Sequence, residues 1–353
     1  MTFLLPSLAA MRLKKTPTQE AHSMPSNKQV NQLQEKVAAY DKRMREALHC
    51  YRPAHEMAES FHKSFCKFRL LRGGNRSSKS CSAFLELGSA ITGQPIIARN
   101  GKKLPWHHAK GTRRIFWVIG YDQSHIGQTI HRYLFQEGGP FKIIQDEHTR
   151  VWRCFNPNNE YDKANIEKIK DCEPIIPERF IDTKHGTKGF AWEDSAKNIF
   201  SSVKFRDGSK LYGFPSTALQ AKQGDPVTEM FIDEDIRWDQ HLTEFKMRLC
   251  DMPDPHGRFV WAAFPHTGNQ ALQDLSADAR REEGMPNQQY VEFQLSCTAN
   301  PYVSNEQKEA IFRNMSPEER RARDLGEFVD DAFFMYPDFA PSIHGIGPVG
   351  FAA

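Results

Sequence analysis

Five short apolar runs constrain this chain more than any other feature. They are Phe68–Arg72 "FRLLR", Ile115–Gly120 "IFWVIG", Met230–Ile232 "MFI", Phe259–Phe264 "FVWAAF" and Tyr290–Leu295 "YVEFQL". Each is followed by a turn or a helical pattern. Short runs that stay apolar on consecutive residues suit strands buried on both faces. Such strands belong to parallel sheets covered by crossover helices. The expectation is an α/β domain with a central, mostly parallel sheet flanked by helices. Between the second and third runs, "NIFSSVKFRDGSKLYGF" (Asn198–Phe214) alternates around Asp207-Gly208, the strongest short hairpin signal. It predicts an antiparallel hairpin at the sheet edge. The polar, Pro-rich stretch Pro140–Trp192 predicts excursions over the sheet.

The flanks read differently. Residues 1–28 carry no periodicity and predict a loose tail. Leu33, Val37, Tyr40, Met44 and Leu48 repeat at three and four residues, which predicts an amphipathic helix over Lys28–His49. After Asn300, two charged helices are expected, Asn305–Asn314 and Ser316–Leu325. Ser316 is the N-cap of the second, with Pro317 at its first position and Gly326 closing it. The expected organisation is a tail and helix over 1–50, a main domain over 51–300, and a helical linker over 301–353 that leads toward a further domain.

A chain of 353 residues can bury a core without metals or disulfides. The seven cysteines form no C-x-x-C pair, which argues against a thiolate zinc site and a disulfide framework and for a reducing compartment. The N-terminal apolar run precedes its charges, the wrong order for a secretory signal, and no run approaches the length of a membrane span. A cytoplasmic protein with no membrane partner is expected. The net charge of +3 is too mild to argue for nucleic acid by itself.

Chemistry concentrates at the ends of three runs. The first leads into "GGNRSSKS", Gly73, Gly74, Asn75, Arg76, Ser77, Ser78, Lys79 and Ser80, ahead of a helix predicted over Lys79–Thr92 and closed by Gly93. A phosphate-binding loop needs inward backbone N–H groups, a helix N-terminus and a lysine for the terminal phosphates. All are available here, and Ser80 supplies a hydroxyl for Mg²⁺. Ser78 stands where G-x-x-x-x-G-K-[ST] has its last glycine. A helix-like φ there costs little; a positive φ costs more. The third run ends in Asp233-Glu234, an Mg²⁺ aspartate followed by a carboxylate able to polarise an attacking water. The fourth ends in "FPHTGN", where His266, Thr267 and Asn269 are placed to sense a γ-phosphate, or simply form a turn and an Asn helix cap. Together these predict ATP and Mg²⁺ as ligands and an ATPase as the activity.

"FRLLRGGNRSSKS", "MFIDEDI", "HLTEFKMRLCDMPDPHGRFVWAAFPHTGN" and "TANPYVSNEQKEAIFRNMSPEERRARDLGEF" resemble the large terminase subunit of tailed bacteriophages over roughly Tyr51–Phe339. The resemblance implies a P-loop NTPase of the RecA-like (ASCE) class that packages double-stranded viral DNA into a prohead, in the host cytoplasm. It implies a ring on a portal protein and a small terminase subunit as further partner. It makes Lys79 and Ser80 the phosphate and Mg²⁺ contacts, Asp233 the Mg²⁺ aspartate, Glu234 the catalytic base, Arg76 a γ-phosphate contact and Pro265–Asn269 the coupling motif. Arg132 and Arg150 are alternatives for an arginine supplied in trans. Three departures stand out: Ser78 in the loop, no evident adenine-contacting glutamine upstream, and Phe264 before the coupling proline. No carboxylate follows Asp338, so no nuclease activity is expected of these residues. A helicase-like ATPase and a catalytically decayed assembly protein are the alternative readings.

Overall fold

The computed structural model describes residues 27–328 apart from 109, 112, 184–188, 219–225, 251–256 and 266–268. The chain divides into two compact units, residues 1–41 and 42–353. What is described of the first is the body of α1 (Asn27–Met44), on which Leu33, Val37 and Tyr40 are exposed. The helix expected to run on to His49 breaks at Arg45 and resumes as α2 (Ala47–Cys50). The Arg45 carbonyl accepts from Glu173 N (2.9 Å), and Glu46 pairs with Arg179 (2.8 Å). Tertiary partners thus take backbone and charge that local periodicity assigned to one helix.

In the second unit, α3 (Glu56–Lys63) precedes β1 (Phe68–Gly73) and α4 (Lys79–Thr92). Then come β2 (Ile115–Gly120), α5 (Gln123–His125), a π-helical turn over Ile126–His131 and α6 (Arg132–Phe135). The excursion holds β3 (Lys142–Gln145), β4 (Trp152–Cys154), α7 (Glu160–Ala164) and β5 (Lys170–Asp171), whose strands form a small separate sheet. After it run β6 (Phe190–Asp194), β7 (Ile199–Lys204), β8 (Lys210–Pro215), β9 (Glu229–Asp233) and α8 (Gln240–Cys250). The chain continues through β10 (Arg258–Ala263), α9 (Gln270–Glu282), β11 (Tyr290–Leu295), α10 (Asn305–Phe312) and α11 (Pro317–Leu325).

All five predicted runs are strands of one sheet, in the order β11–β1–β10–β9–β2–β8–β7–β6. The first six are mutually parallel. This is the mixed α/β, mostly parallel sheet that the runs predict. β10 lies between β1 and β9, so the strands carrying the lysine loop and the acidic pair flank it. The hairpin forms as β7–β8, but not at the edge: β8 joins β2 in parallel and β6 is outermost. The alternation of β7 and β8 marks strands but cannot reveal the further strand laid over β7 by the polar stretch before it.

Each parallel strand feeds two cores. Leu71, Phe116, Val118, Phe231, Val260 and Ala262 face α4, where Phe84, Leu87 and Ile91 are buried. The alternate residues Leu70, Trp117, Ile119, Met230, Ile232 and Trp261 face Phe245 and Leu249 of α8 and Leu272 and Leu275 of α9. Burial of each large side chain stabilises the fold by about 1.5–3 kcal/mol relative to exposure. With both faces covered, the parallel strands fix where their C-terminal tips converge, and that is where open α/β sheets bind ligands.

Candidate active site

The loop from β1 to α4 lies at those tips. Ser78 is the residue before α4 and has φ 73° and ψ 10°, the left-handed region. The position is therefore the one a glycine would occupy without strain, and serine there costs about 1–2 kcal/mol. Arg76 is left-handed too (φ 63°), as is Glu234 (φ 68°). These are three of the six non-glycine residues with positive φ among the described residues, so strain concentrates at this site. The left-handed Ser78 followed by helical Lys79 has the alternating geometry that turns successive N–H groups toward one point and makes an anion nest. Ser78 makes no side-chain cap, and the first-turn N–H groups of α4 have no intrahelical acceptor.

Lys79 is buried, and its Nζ lies 3.7 Å from Glu234 Oε1. Glu234 is about a third exposed, and β10 holds its backbone: its N–H donates to Ala262 O (2.8 Å) and its carbonyl accepts from Trp261 Nε1 (2.7 Å). Asp233 is buried; one carboxylate oxygen, Oδ2, lies 2.8 Å from His125 Nε2, and Oδ1 has no partner. Ser77 Oγ and Ser78 Oγ are also buried without partners. At the strand tips, then, lie the Lys79 ammonium beside Glu234, the unpartnered Asp233 Oδ1 and a loop with the geometry of a nest. An ammonium, a nest and an unpartnered buried carboxylate oxygen are groups of the kind that fit a phosphate and its divalent cation.

His125 is a site residue that the sequence does not reveal. Asp122 caps α5 by accepting from His125 N (2.8 Å), and the parallel neighbourhood of β2 and β9 brings the ring to Asp233. Burial acts to lower the His125 pKa. The hydrogen bond and charge of Asp233, with Glu234 and Asp122 behind it, outweigh that and raise it.

The other face of the loop rests on the C-terminal helices. Gly74 N donates to Asp324 O (3.2 Å), and a Cβ at Gly74 would sit 1.5 Å from the Arg323 carbonyl oxygen. Only glycine permits that approach. Asn300 Nδ2 donates to Arg76 O (2.8 Å), and Arg72 Nη1 donates to Gly326 O. α11 has the expected Ser316 cap and left-handed Gly326, and α10 is capped by Ser304. Here they support the loop.

Arg76 itself is exposed, as is Asn75. Asn269 is the N-cap of α9: its Oδ1 accepts from Leu272 N (2.9 Å) while Nδ2 donates to Asp235 Oδ1 (2.6 Å). It ties the acidic strand's exit to the next helix. His266 and Thr267 lie outside the described residues.

No family model and no curated protein matches the chain. Among solved structures, it is similar to the large terminase ATPase domain of Thermus phage P74-26, with 14% identity and a TM-score of 0.43 over 78% of this chain and 94% of that one. It is also similar to the large terminase of a second thermophilic bacteriophage, in complex with ATP-γ-S (11% identity, TM-score 0.43) and with ADP (12%, 0.40). These solved structures are large terminases or their ATPase domains. The similarity covers 53% of the second phage's protein. Six cysteines among the described residues are free thiols, and no described helix is long and apolar enough to cross a membrane.

Proposed function

We propose that the chain is an ATPase of the large-terminase type, the motor that drives double-stranded DNA into a viral prohead. The observation that carries the ATPase reading is the meeting of Lys79 with Glu234, next to Asp233, at the tips of β1 and β9 on either side of β10, over a left-handed-to-helical loop. In this reading the N–H groups after Ser78 hold the β- and γ-phosphates, and Lys79 exchanges its approach to Glu234 for the γ-phosphate oxygens. Ser80 and Asp233 hold Mg²⁺, which when bound neutralises charge on the phosphates. Glu234 orients and deprotonates the attacking water, its backbone fixed by β10. Arg76, on the exposed side of the loop, serves the γ-phosphate. Asn269 couples the tip of β9 to α9.

The DNA-translocating role, the ring on a portal and the small terminase subunit rest on the motifs shared with large terminase subunits. Glu234→Gln is expected to bind ATP with Mg²⁺ at near wild-type affinity and to lose at least about 100-fold in turnover. Lys79→Ala is expected to lose both. DNA-stimulated phosphate release and nucleotide binding, measured side by side, check this. Wild-type turnover in Glu234→Gln removes the assigned base, and equal, negligible rates in wild type and Lys79→Ala favour a decayed assembly protein. The left-handed Ser78 is the observation behind that second reading.

A further inference from the structure

A second cluster lies at the opposite end of the sheet, below α4. Glu86, buried in the middle of α4, is surrounded by His62, Arg69, His107 and His108. Its Oε1 is 3.1 Å from His107 Nε2 and 3.5 Å from His108 Nε2. One ligand atom from each of the three residues lies within 4.8 Å of the other two. Ligands at zinc distances around a tetrahedral ion stand about 3.3 Å apart, so the spacing suits one ion.

The ring tautomers sharpen this. His108 Nδ1 is 2.9 Å from both oxygens of buried Glu229, and facing a carboxylate it carries the proton. His107 Nδ1 is 3.2 Å from the Pro105 carbonyl oxygen and is placed to donate there. In the neutral rings both Nε2 atoms are then lone pairs aimed at Glu86 Oε1. Three electron-rich atoms meet, and Arg69 Nη1, 2.6 Å from Oε1, covers only the carboxylate. The outer contacts match those of metal-binding histidines, whose far nitrogen donates to a carboxylate or carbonyl. His62 Nδ1, 2.7 Å from Oε2, orients Glu86 in turn.

We propose that Glu86, His107 and His108 form a buried site for one zinc-class divalent cation, oriented by Glu229, the Pro105 carbonyl and His62. The cation would pin α4 to the segment before β2 and, through Glu229, to the start of β9. Glu86 and Glu229 already balance Arg69 and Arg258, so a dication leaves the cluster net positive. The affinity falls below that of a thiolate site accordingly. The side chains of Glu86, His107 and His108 are at most 3% exposed, so the ion enters as the chain folds.

The test does not depend on the nucleotide reading. The full chain is refolded with Zn²⁺ or Co²⁺, freed of excess metal and assayed for metal content and visible absorption. One equivalent is expected, with Co²⁺ giving visible bands of low coordination number and no thiolate charge-transfer band. His107→Gln with His108→Gln should lose the metal, and Glu229→Gln should weaken it about 10- to 100-fold. No retained metal in the wild type overturns the proposal, and that result needs no variant to fold. A thiolate band, or undiminished binding in a folded double variant, overturns it equally.

Discussion

Ser78 keeps a left-handed backbone that its side chain opposes, in a loop whose N–H groups need that backbone. Ser78→Gly removes the clash and is expected to stabilise the chain by about 1 kcal/mol, less the small entropic cost of glycine. Thermal unfolding checks this. A serine that merely tolerates the position leaves turnover unchanged in the variant, while one that impedes the loop gives a faster enzyme. Lys79 is readable because its loop follows the first apolar run, and Asp233 and Glu234 because they end the third, where burial fixes the strand tips. His125 is not, because "YDQSHIG" carries no motif of its own. Only the pairing of β2 with β9, a contact across more than a hundred residues, brings it to Asp233.

At the scale of elements, α4 occupies the predicted Lys79–Thr92 with Gly93 left-handed at its end. The five predicted strands agree to within a residue or so, because continuous apolar runs admit few other burials. The π-helical turn over Ile126–His131 has no signal, since its side chains fit an ordinary helix equally well. The β7–β8 hairpin is readable from Asp207-Gly208, and the structure adds what the aspartate does. Asp207 accepts from Ser209 N (2.9 Å) and Ser209 Oγ (2.8 Å) and from Arg114 Nη2 (2.9 Å). Arg114 Nη1 in turn donates to Ala90 O, among the last carbonyls of α4. Asp207→Ala therefore loosens both the hairpin and the helix end. A loss of about 1–3 kcal/mol is expected, read as a lowered denaturant midpoint with an unchanged slope.

For the whole molecule, the expected linker after Asn300 has a different part. Its helices are readable, the second of them from Ser316 and Gly326. Their place is not, because contacts of Asn300 and Asp324 with a loop more than two hundred residues earlier leave no local pattern. A chain ending at Ala299 loses the Asn300 and Asp324 contacts and uncovers Gly74. It is expected to lose nucleotide binding as well as stability, whereas a mere spacer could be removed with binding intact. Fluorescent-nucleotide titration of the shortened and full chains separates the two outcomes. The closeness of Gly74 to the Arg323 carbonyl has a mechanical consequence. No side chain lies between the loop and α11 to absorb a displacement, so the contact is stiff. Tension applied through α11 would reach the Gly74 loop directly and, through Gly326 and Arg72, would reach β1 as well, so the helix would pull on loop and strand together.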